Sequence, residues 1–271
     1  MKDNLLFLCL LCWLWVIAGC EVSQPDASLA KKASSLDGLT LSDLQDTSQK
    51  KINTDFLVKY RIITYAISPD SVDELQEVFA HLSLNDVRTA NKGAFEANGF
   101  FVGTGSFDEG QKIIREIAGI DAVRIAQVRL MSPPGDIEPI FRVFLQGTET
   151  IYYAKSANNS TTMALGPGFL GWVMSVNPDP RLHRKALIEL YPAYWQPGVE
   201  DIRLRMGIEP VDYQPISVGQ VLARVEERGF ILLGPTRMAS DQLTLDKLLF
   251  FLPGRRPKIQ FFLILCDSMG Q

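Results

Sequence analysis

The four cysteines of this 271-residue chain are the first candidates for chemistry. Cys9 and Cys12 have the C-x-x-C spacing of redox and metal sites, but they lie inside a continuous apolar run. Cys266 ends another apolar run, where an unpaired cysteine is commonly a small buried hydrophobe. Cys20 differs because two small residues precede it, and a peptidase can bind such a chain in an extended form. We therefore expect Cys20 to be the cysteine with a function.

Residues 1–20 have the parts of an exported leader. Lys2 supplies positive charge, and the apolar stretch over 5–17 is shorter than the roughly 20 residues of a bilayer-spanning helix. The sequence Ile17-Ala18-Gly19-Cys20 resembles the bacterial lipobox. The resemblance implies that residues 1–19 are removed and that Cys20 carries lipid which holds the protein at a membrane. A retained N-terminal membrane anchor is the alternative.

The residue after the cysteine bears on the location. In the lipoproteins that this segment resembles, an aspartate at that position commonly retains the protein in the inner membrane, whereas this chain has Glu21. The resemblance therefore favours the periplasmic face of the outer membrane, with the inner membrane left open. The net charge of −4 gives no sign of the basic stripe that binds nucleic acid. The expected partners are the membrane, through lipid, and an envelope protein or a cell-wall component.

Sequence motifs for catalysis, metals and cofactors are missing. Neither His81 nor His183 has metal-ligating neighbours at a suitable spacing, and no H-E-x-x-H or G-x-S-x-G pattern occurs. Gly103-Thr104-Gly105 lies between a predicted strand and a predicted helix, but its spacing is not that of a nucleotide-binding loop and predicts a tight turn. We expect no catalytic residue, no metal and no cofactor. A fold can still assemble distant carboxylates into a glycosidase pair, so a cell-wall hydrolase is an alternative.

One aromatic cluster is a candidate binding surface. Tyr191, Tyr194 and Trp195 are interleaved with prolines at 192 and 197. Aromatic side chains beside prolines can form a shelf for a glycan or a peptide. The alternative is that these side chains pack at the end of a β-sandwich.

Composition divides the chain after the leader into three segments. Residues 20–55 are rich in Ser, Ala, Asp, Lys and Gln, which is typical of a flexible tether that follows the lipidated cysteine. Residues 56–131 alternate between strand and helix patterns and predict a small mixed α/β module. The break Ser-Pro-Pro-Gly-Asp at 132–136 separates this module from residues 138–271. The short strands of that last segment predict an antiparallel, β-rich sandwich or open barrel.

Several individual elements are predicted with bounds. The mixed module has predicted strands at 56–67, 100–102 and 122–130, the last with a slip in its alternation near Ala126, and predicted helices from about 68 to 82, over 85–97 and over 106–118. The β-rich module has predicted strands at 140–145, 150–154, 161–165, 169–176, 186–191, 218–225, 230–233, 248–252 and 258–266. The final strand is the most apolar, so we expect it at the centre of a sheet.

The sequence thus predicts an α+β protein that is attached to the bacterial cell envelope by lipid. The segment from Asn98 to Gly103 also loosely resembles uncharacterised bacterial lipoproteins, which adds no activity. We expect a function in binding or scaffolding rather than in catalysis. The alternatives are the cell-wall hydrolase already mentioned and a carrier that holds an apolar ligand inside the β-rich part.

Overall fold

The computed structural model of this protein describes residues 57–179, 182, 184–196, 213–237 and 242–270. All described residues belong to one compact unit, which spans residues 52–271. The predictions made for the leader at 1–19, for Cys20, for the tether at 20–55 and for His183 lie outside the described residues.

The described residues form fourteen strands and four α-helices. The strands are β1 Leu57–Ile67, β2 Val87–Thr89, β3 Phe100–Gly105, β4 Val123–Ser132, β5 Ile137–Leu145, β6 Glu149–Ser156, β7 Asn159–Leu165, β8 Gly168–Pro178, β9 Lys185–Trp195, β10 Gln214–Pro215, β11 Val221–Glu226, β12 Phe230–Pro235, β13 Phe251–Leu252 and β14 Lys258–Gly270. The helices are α1 Val72–Ala80, α2 Lys92–Ala97, α3 Phe107–Gly119 and α4 Leu245–Phe250. Within these segments, no helix has both the length and the hydropathy that crossing a bilayer requires.

The strands form two antiparallel sheets and a separate hairpin. Sheet A has the strand order β3-β12-β14-β1-β4, with β13 paired to β14, and sheet B has the order β2-β11-β9-β8-β5, with β10 paired to β9. Strands β6 and β7 form the hairpin. Each sheet combines strands from residues 56–131 with strands from residues 138–271. The predicted α+β class is confirmed, and of the two β-rich architectures expected, the sandwich is the one observed.

Sheet A has a hydrophobic core on each of its faces. One face packs against sheet B around side chains such as Phe100 and Trp172, and the other packs against α1 and α3. Strand β1 serves both cores because successive side chains of a strand point to opposite faces, so Ile62 lies in the first core and Ile63 in the second. The layers are therefore helices, sheet A and sheet B.

Several local sequence signals are confirmed. Strand β14, predicted to be central, lies between β12 and β1. The helix predicted over 106–118 is α3, and it begins with a capping box in which the backbone N–H of Ser106 donates to Oε2 of Glu109 at 2.7 Å. Gly99 follows α2 with a φ of +71°, the left-handed conformation expected just past a helix end.

Asn98 connects the β6–β7 hairpin to the rest of the fold. Its side chain is buried, and its Nδ2 donates to the carbonyl oxygens of Ala94 and Ala154, each at 2.8 Å. Its Oδ1 accepts from the backbone N–H of Ala154 at 2.9 Å. One amide group thus satisfies backbone groups of α2 and β6 together, which positions the hairpin beside the start of β3.

Two predicted elements are wrong in type or extent. Residues 248–252 were expected as a strand, yet α4 covers Leu245–Phe250, and the burial of Leu245 and Leu249 has helical spacing. A short apolar run does not distinguish a buried strand from a buried helix. A helix was expected over 85–97, but the observed helix α2 covers only the second half of that range. The first half contains β2, which pairs with β11. Asn91 then starts α2, because its side chain accepts from the N–H of Ala94 at 3.0 Å.

The tight turn expected at Gly103-Thr104-Gly105 is instead the end of strand β3. A Cβ at Gly103 would come within 2.7 Å of the Cβ of Leu82, and one at Gly105 would overlap the ring of Phe230. Glycine is required here because other chain segments pack directly against the strand.

Candidate functional site

The three aromatic residues considered for a binding shelf lie on β9 and are buried. Their exposed fractions are 8% for Tyr191, 5% for Tyr194 and 1% for Trp195. Tyr194 lies in the core between the sheets, and its hydroxyl donates to the carbonyl oxygen of Pro167 at 3.0 Å. Tyr191 and Trp195 belong to a separate cluster that also contains Phe169. These side chains leave little aromatic surface for a ligand, so the geometry favours the packing alternative.

Other reactive side chains in the described segments do not assemble into a metal or nucleophile site. No three His, Cys, Asp or Glu side chains of those segments are grouped closely enough to hold a metal ion. His81 follows the end of α1, and its Nδ1 lies 3.1 Å from Oε2 of Glu116 on α3, a contact that joins the two helices. Burial raises the pKa of the Cys266 thiol to about 12, which leaves little thiolate at neutral pH.

Strand β4 is the most exposed strand of sheet A. It lies at the end of the strand order and pairs only with β1. Among the described residues, no other strand and no loop backbone pairs with its outer edge. A strand of this length with an open edge presents a row of N–H and C=O groups to any extended chain that approaches.

The two faces of β4 differ in polarity. Val128 is paired with Ile62 and therefore lies on the face directed toward the sandwich core, yet its side chain is 49% exposed. Val123 lies on the same face and is 51% exposed. The helix-directed face of the strand carries Arg124, Gln127 and Arg129, and near its end the exposed Met131, which is paired with Lys59. Sheet B does not cover the apolar face here, and α3 does not cover the polar face.

A groove of about 400 Å³ lies beside β4 on the helix-directed face of sheet A. Side chains from α3, β1, β4, β14 and the turn before β12 line it, and we call it the arginine groove. Its lining includes Arg61, Tyr65, Phe107, Arg124, Arg228 and Asp267. The groove therefore combines cationic groups with partly exposed aromatic rings, which are the components of a binding surface for an anionic and partly apolar ligand.

Positive charge exceeds negative charge in this groove. Asp267 is the one carboxylate among its described lining residues, and it is already held by Arg61, with Nε at 2.9 Å and Nη2 at 2.7 Å. Arg124 donates from Nη1 to Oε1 of Gln127 at 3.1 Å, which neutralises no charge. Among the described residues, no side chain pairs with the guanidinium of Arg228. The groove is thus cationic in a chain whose net charge is −4.

Two arginines are also placed directly opposite each other. Arg61 on β1 is the cross-strand partner of Arg129 on β4. Like charges at such a position destabilise a sheet, typically by a few tenths to about 1 kcal/mol. Asp267 compensates Arg61, but within the described segments no carboxylate contacts Arg129. A charge that opposes folding stability is a candidate for a role in binding.

An apolar cavity of about 390 Å³ lies at the other end of sheet A, where β2, α2 and β3 meet. Val87, Phe95 and Phe101 contribute to its lining, and the charged side chains of Lys92 and Glu96 border it. A carrier of apolar ligands typically buries most of the ligand surface. This cavity opens at the surface, so it gives the carrier alternative only weak support.

A pair of carboxylates lines a smaller cavity of about 230 Å³. Asp179 is buried, and its Oδ2 lies 2.5 Å from Nε of Arg224, while Oδ1 of Asp86 lies 3.5 Å from Nη1 of the same arginine. Both carboxylates therefore already have a cationic partner. A glycosidase pair needs one carboxylic acid that can donate a proton, which this arrangement does not favour.

No family model, curated protein or solved structure shows significant similarity to this chain. The candidate site therefore depends on geometry and charge alone. Sequence reasoning placed residues 122–130 on a strand but did not single them out as a site. The signal that could have done so is the pair of Val-Arg dipeptides at 123–124 and 128–129, since charged side chains are common on exposed edge strands.

Proposed function

We propose that this protein is a lipid-anchored component of the bacterial cell envelope that works by binding or scaffolding rather than by catalysis. The lipobox-like sequence that ends at Cys20 supports the anchor, and Glu21 supports an address at the periplasmic face of the outer membrane. The observation that carries the binding role is the outer edge of β4, which no strand or loop of the described residues covers.

Addition of a strand to a sheet edge is a common mode of peptide recognition. The backbone groups of the edge supply affinity, and the side chains on either face of the strand supply specificity. Four of the eleven large apolar side chains that are exposed in the described segments lie on β4, at Val123, Ile125, Val128 and Met131. That concentration on one strand is what an interaction surface requires.

Site-specific photocrosslinking in intact bacteria tests the binding role. A photoreactive residue at position 125 or 128 should form a defined adduct, because both side chains are about half exposed beside the open edge. The matched control is position 222 on β11, which is also exposed but lies on a strand that is paired on both sides. Equal crosslinking at all three positions, or no adduct at 125 and 128, would overturn the proposal.

Metabolic labelling with a fatty-acid probe tests the anchor separately. We expect the full-length protein to be labelled and the Cys20→Ala variant to lose the label. The Cys266→Ala variant is the control and should keep the label, because Cys266 is buried and its thiol is almost fully protonated at neutral pH. Unchanged labelling of the Cys20→Ala variant would refute lipidation at that position.

A further inference from the structure

We infer that the partner of β4 is an extended polypeptide segment in which acidic and apolar side chains alternate. The inference rests on the proposed binding role and adds the chemistry of the partner. It follows from two features. One face of β4 carries exposed valines and the other carries arginines, and the side chains of any strand alternate between the two faces of its sheet.

The alternation follows from strand geometry. A strand added at the open edge continues the pleat of sheet A, so its successive side chains point to opposite faces. On the face directed toward the sandwich, they meet the exposed apolar row that includes Val123 and Val128. On the helix-directed face, they meet Arg124 and Arg129. The partner side chains that complement these rows are apolar on one face and acidic on the other.

The arginine groove also favours acidic side chains on the partner strand. It lies on the helix-directed face, so acidic side chains of the added strand point toward it. Arg228 and Arg124 have no carboxylate partner among the described residues, and Asp267 is occupied by Arg61. A carboxylate from a partner would therefore gain charge-assisted hydrogen bonds without displacing an existing ion pair. It would also offset the repulsion between Arg61 and Arg129.

The same charges argue against a second copy of this chain as the occupant. If two β4 strands paired edge to edge with the helix-directed faces on one side, Arg124 and Arg129 of each copy would join one continuous cationic row. Like charges on neighbouring strands are unfavourable, and neither copy supplies a carboxylate from its own β4. A partner of opposite charge is the complementary solution.

Peptide binding to the full-length protein in detergent micelles tests this inference. The probe peptide alternates Asp or Glu with Val, and two comparison peptides carry Lys in place of the acidic residues or the same residues in scrambled order. We expect the alternating acidic peptide to bind at least fivefold more tightly than either comparison peptide, with affinity that falls as salt rises. Hydrogen exchange should show protection of β4 amides in the complex.

Variants of the protein then locate the charges. The double variant Arg124→Gln/Arg129→Gln should lose about fivefold or more in affinity for the acidic peptide, from the loss of two exposed ion pairs. The control Arg88→Gln alters an exposed arginine on β2 and should leave the affinity unchanged.

The outcomes separate this inference from the binding role itself. If the Lys peptide protects β4 as well as the acidic peptide does, the edge binds strands but the charge inference is overturned. If peptidoglycan fragments bind through the arginines and no peptide protects β4 amides, the partner is a wall polymer and the inference is overturned. Crosslinking at positions 125 and 128 with no affinity for any of the three peptides also overturns the alternating pattern, while the binding role stands.

Discussion

The two ends of sheet A are edges of the same sheet, yet the chain treats them differently. At β3, the backbone N–H of Ser83 donates to the carbonyl oxygen of Thr104 at 3.0 Å, and the N–H of Thr104 donates back to Ser83 at 2.9 Å. A loop segment thus occupies this edge. At β4, no described segment does the same.

The difference shows what a closed edge requires and what an open edge lacks. Closure at β3 depends on a small residue, because Gly103 lets Leu82, which precedes Ser83, pack directly onto the strand. Strand β4 has no glycine and no proline, and its outward side chains are arginines and valines. Natural edges without a cover commonly carry charge to prevent uncontrolled pairing. Arg124 and Arg129 are suited to that purpose and, in our proposal, also select the partner.

The largest expected effect is on folding stability, when a substitution on β3 is compared with one on β4. Phe100 on β3 is buried, and its ring centroid lies 5.3 Å from that of Trp172 and 5.9 Å from that of Phe250. Phe100→Ala should lower the free energy of unfolding by about 3–5 kcal/mol, because a cavity remains in the core. Val128→Ala on β4 should cost less than about 1 kcal/mol. Chemical denaturation of the full-length protein measures both, and equal losses would remove the distinction between the two edges.

A second prediction concerns the connection beside the closed edge. Asn98→Ala removes the side-chain bonds to both backbone groups of Ala154, while the carbonyl of Ala94 keeps its bond from the backbone N–H of residue 98, so we expect a loss of about 1–3 kcal/mol. Asn98→Asp should be similarly damaging, because a carboxylate cannot donate to the two carbonyl oxygens. Asn85→Ala, at an exposed amide, is the control.

Hydrogen exchange makes the Asn98 prediction specific. The amide of Ala154 on β6 should lose protection in both Asn98 variants before the amides of sheet A do, since Asn98 holds the hairpin and not the sheet. A uniform loss of protection over the whole chain would contradict this role.

The same regions show how far the sequence predicts the structure. The uninterrupted apolar run of β14 identified a central strand, because such a run is stable only when both faces and both edges are covered. The alternation over 122–130 identified β4, and its slip near Ala126 coincides with the irregularity where the β1–β4 register shifts at Thr64. Both predictions concern neighbouring residues, for which local pattern is sufficient.

The candidate site could not be predicted in this way, because it depends on distant pairings. Arg61 and Asp267 are 206 residues apart, and they meet only because β1 lies beside β14. The aromatic residues of β9 are the opposite case, in which a local sequence pattern suggested a binding site but the fold buries it. Tyr191 and Trp195 lie near prolines, which suggested an exposed shelf, but β9 is an interior strand of sheet B, and every residue from 190 to 195 is buried.

A third prediction measures the cost of keeping β4 cationic. Arg129→Gln removes the repulsion with Arg61 and should raise the free energy of unfolding by a few tenths of a kcal/mol, more at low salt. Arg61→Gln should have the opposite sign, because it leaves Asp267 without its partner. Denaturation at two ionic strengths tests both signs. A destabilised Arg129→Gln variant would mean that this arginine supports the fold and would weaken its assignment to binding.

The smallest expected effect lies where the chain leaves the open edge and enters β5. Burial, together with the nearby charge of Asp136, raises the pKa of Glu138 above its ordinary value of 4.5. A carboxyl whose pKa is raised by folding favours the folded state only while it is protonated, so this contribution is lost as the pH rises through the pKa of the folded protein. Glu138→Gln should therefore stabilise the protein at pH 7, and the gain should shrink as the pH falls toward 4.5. Glu226→Gln, at an exposed carboxylate on β11, is the matched control and should show no such trend. A gain for Glu138→Gln that is the same at both pH values would mean that shape or packing, rather than the ionisation of Glu138, limits stability at this end of the open edge.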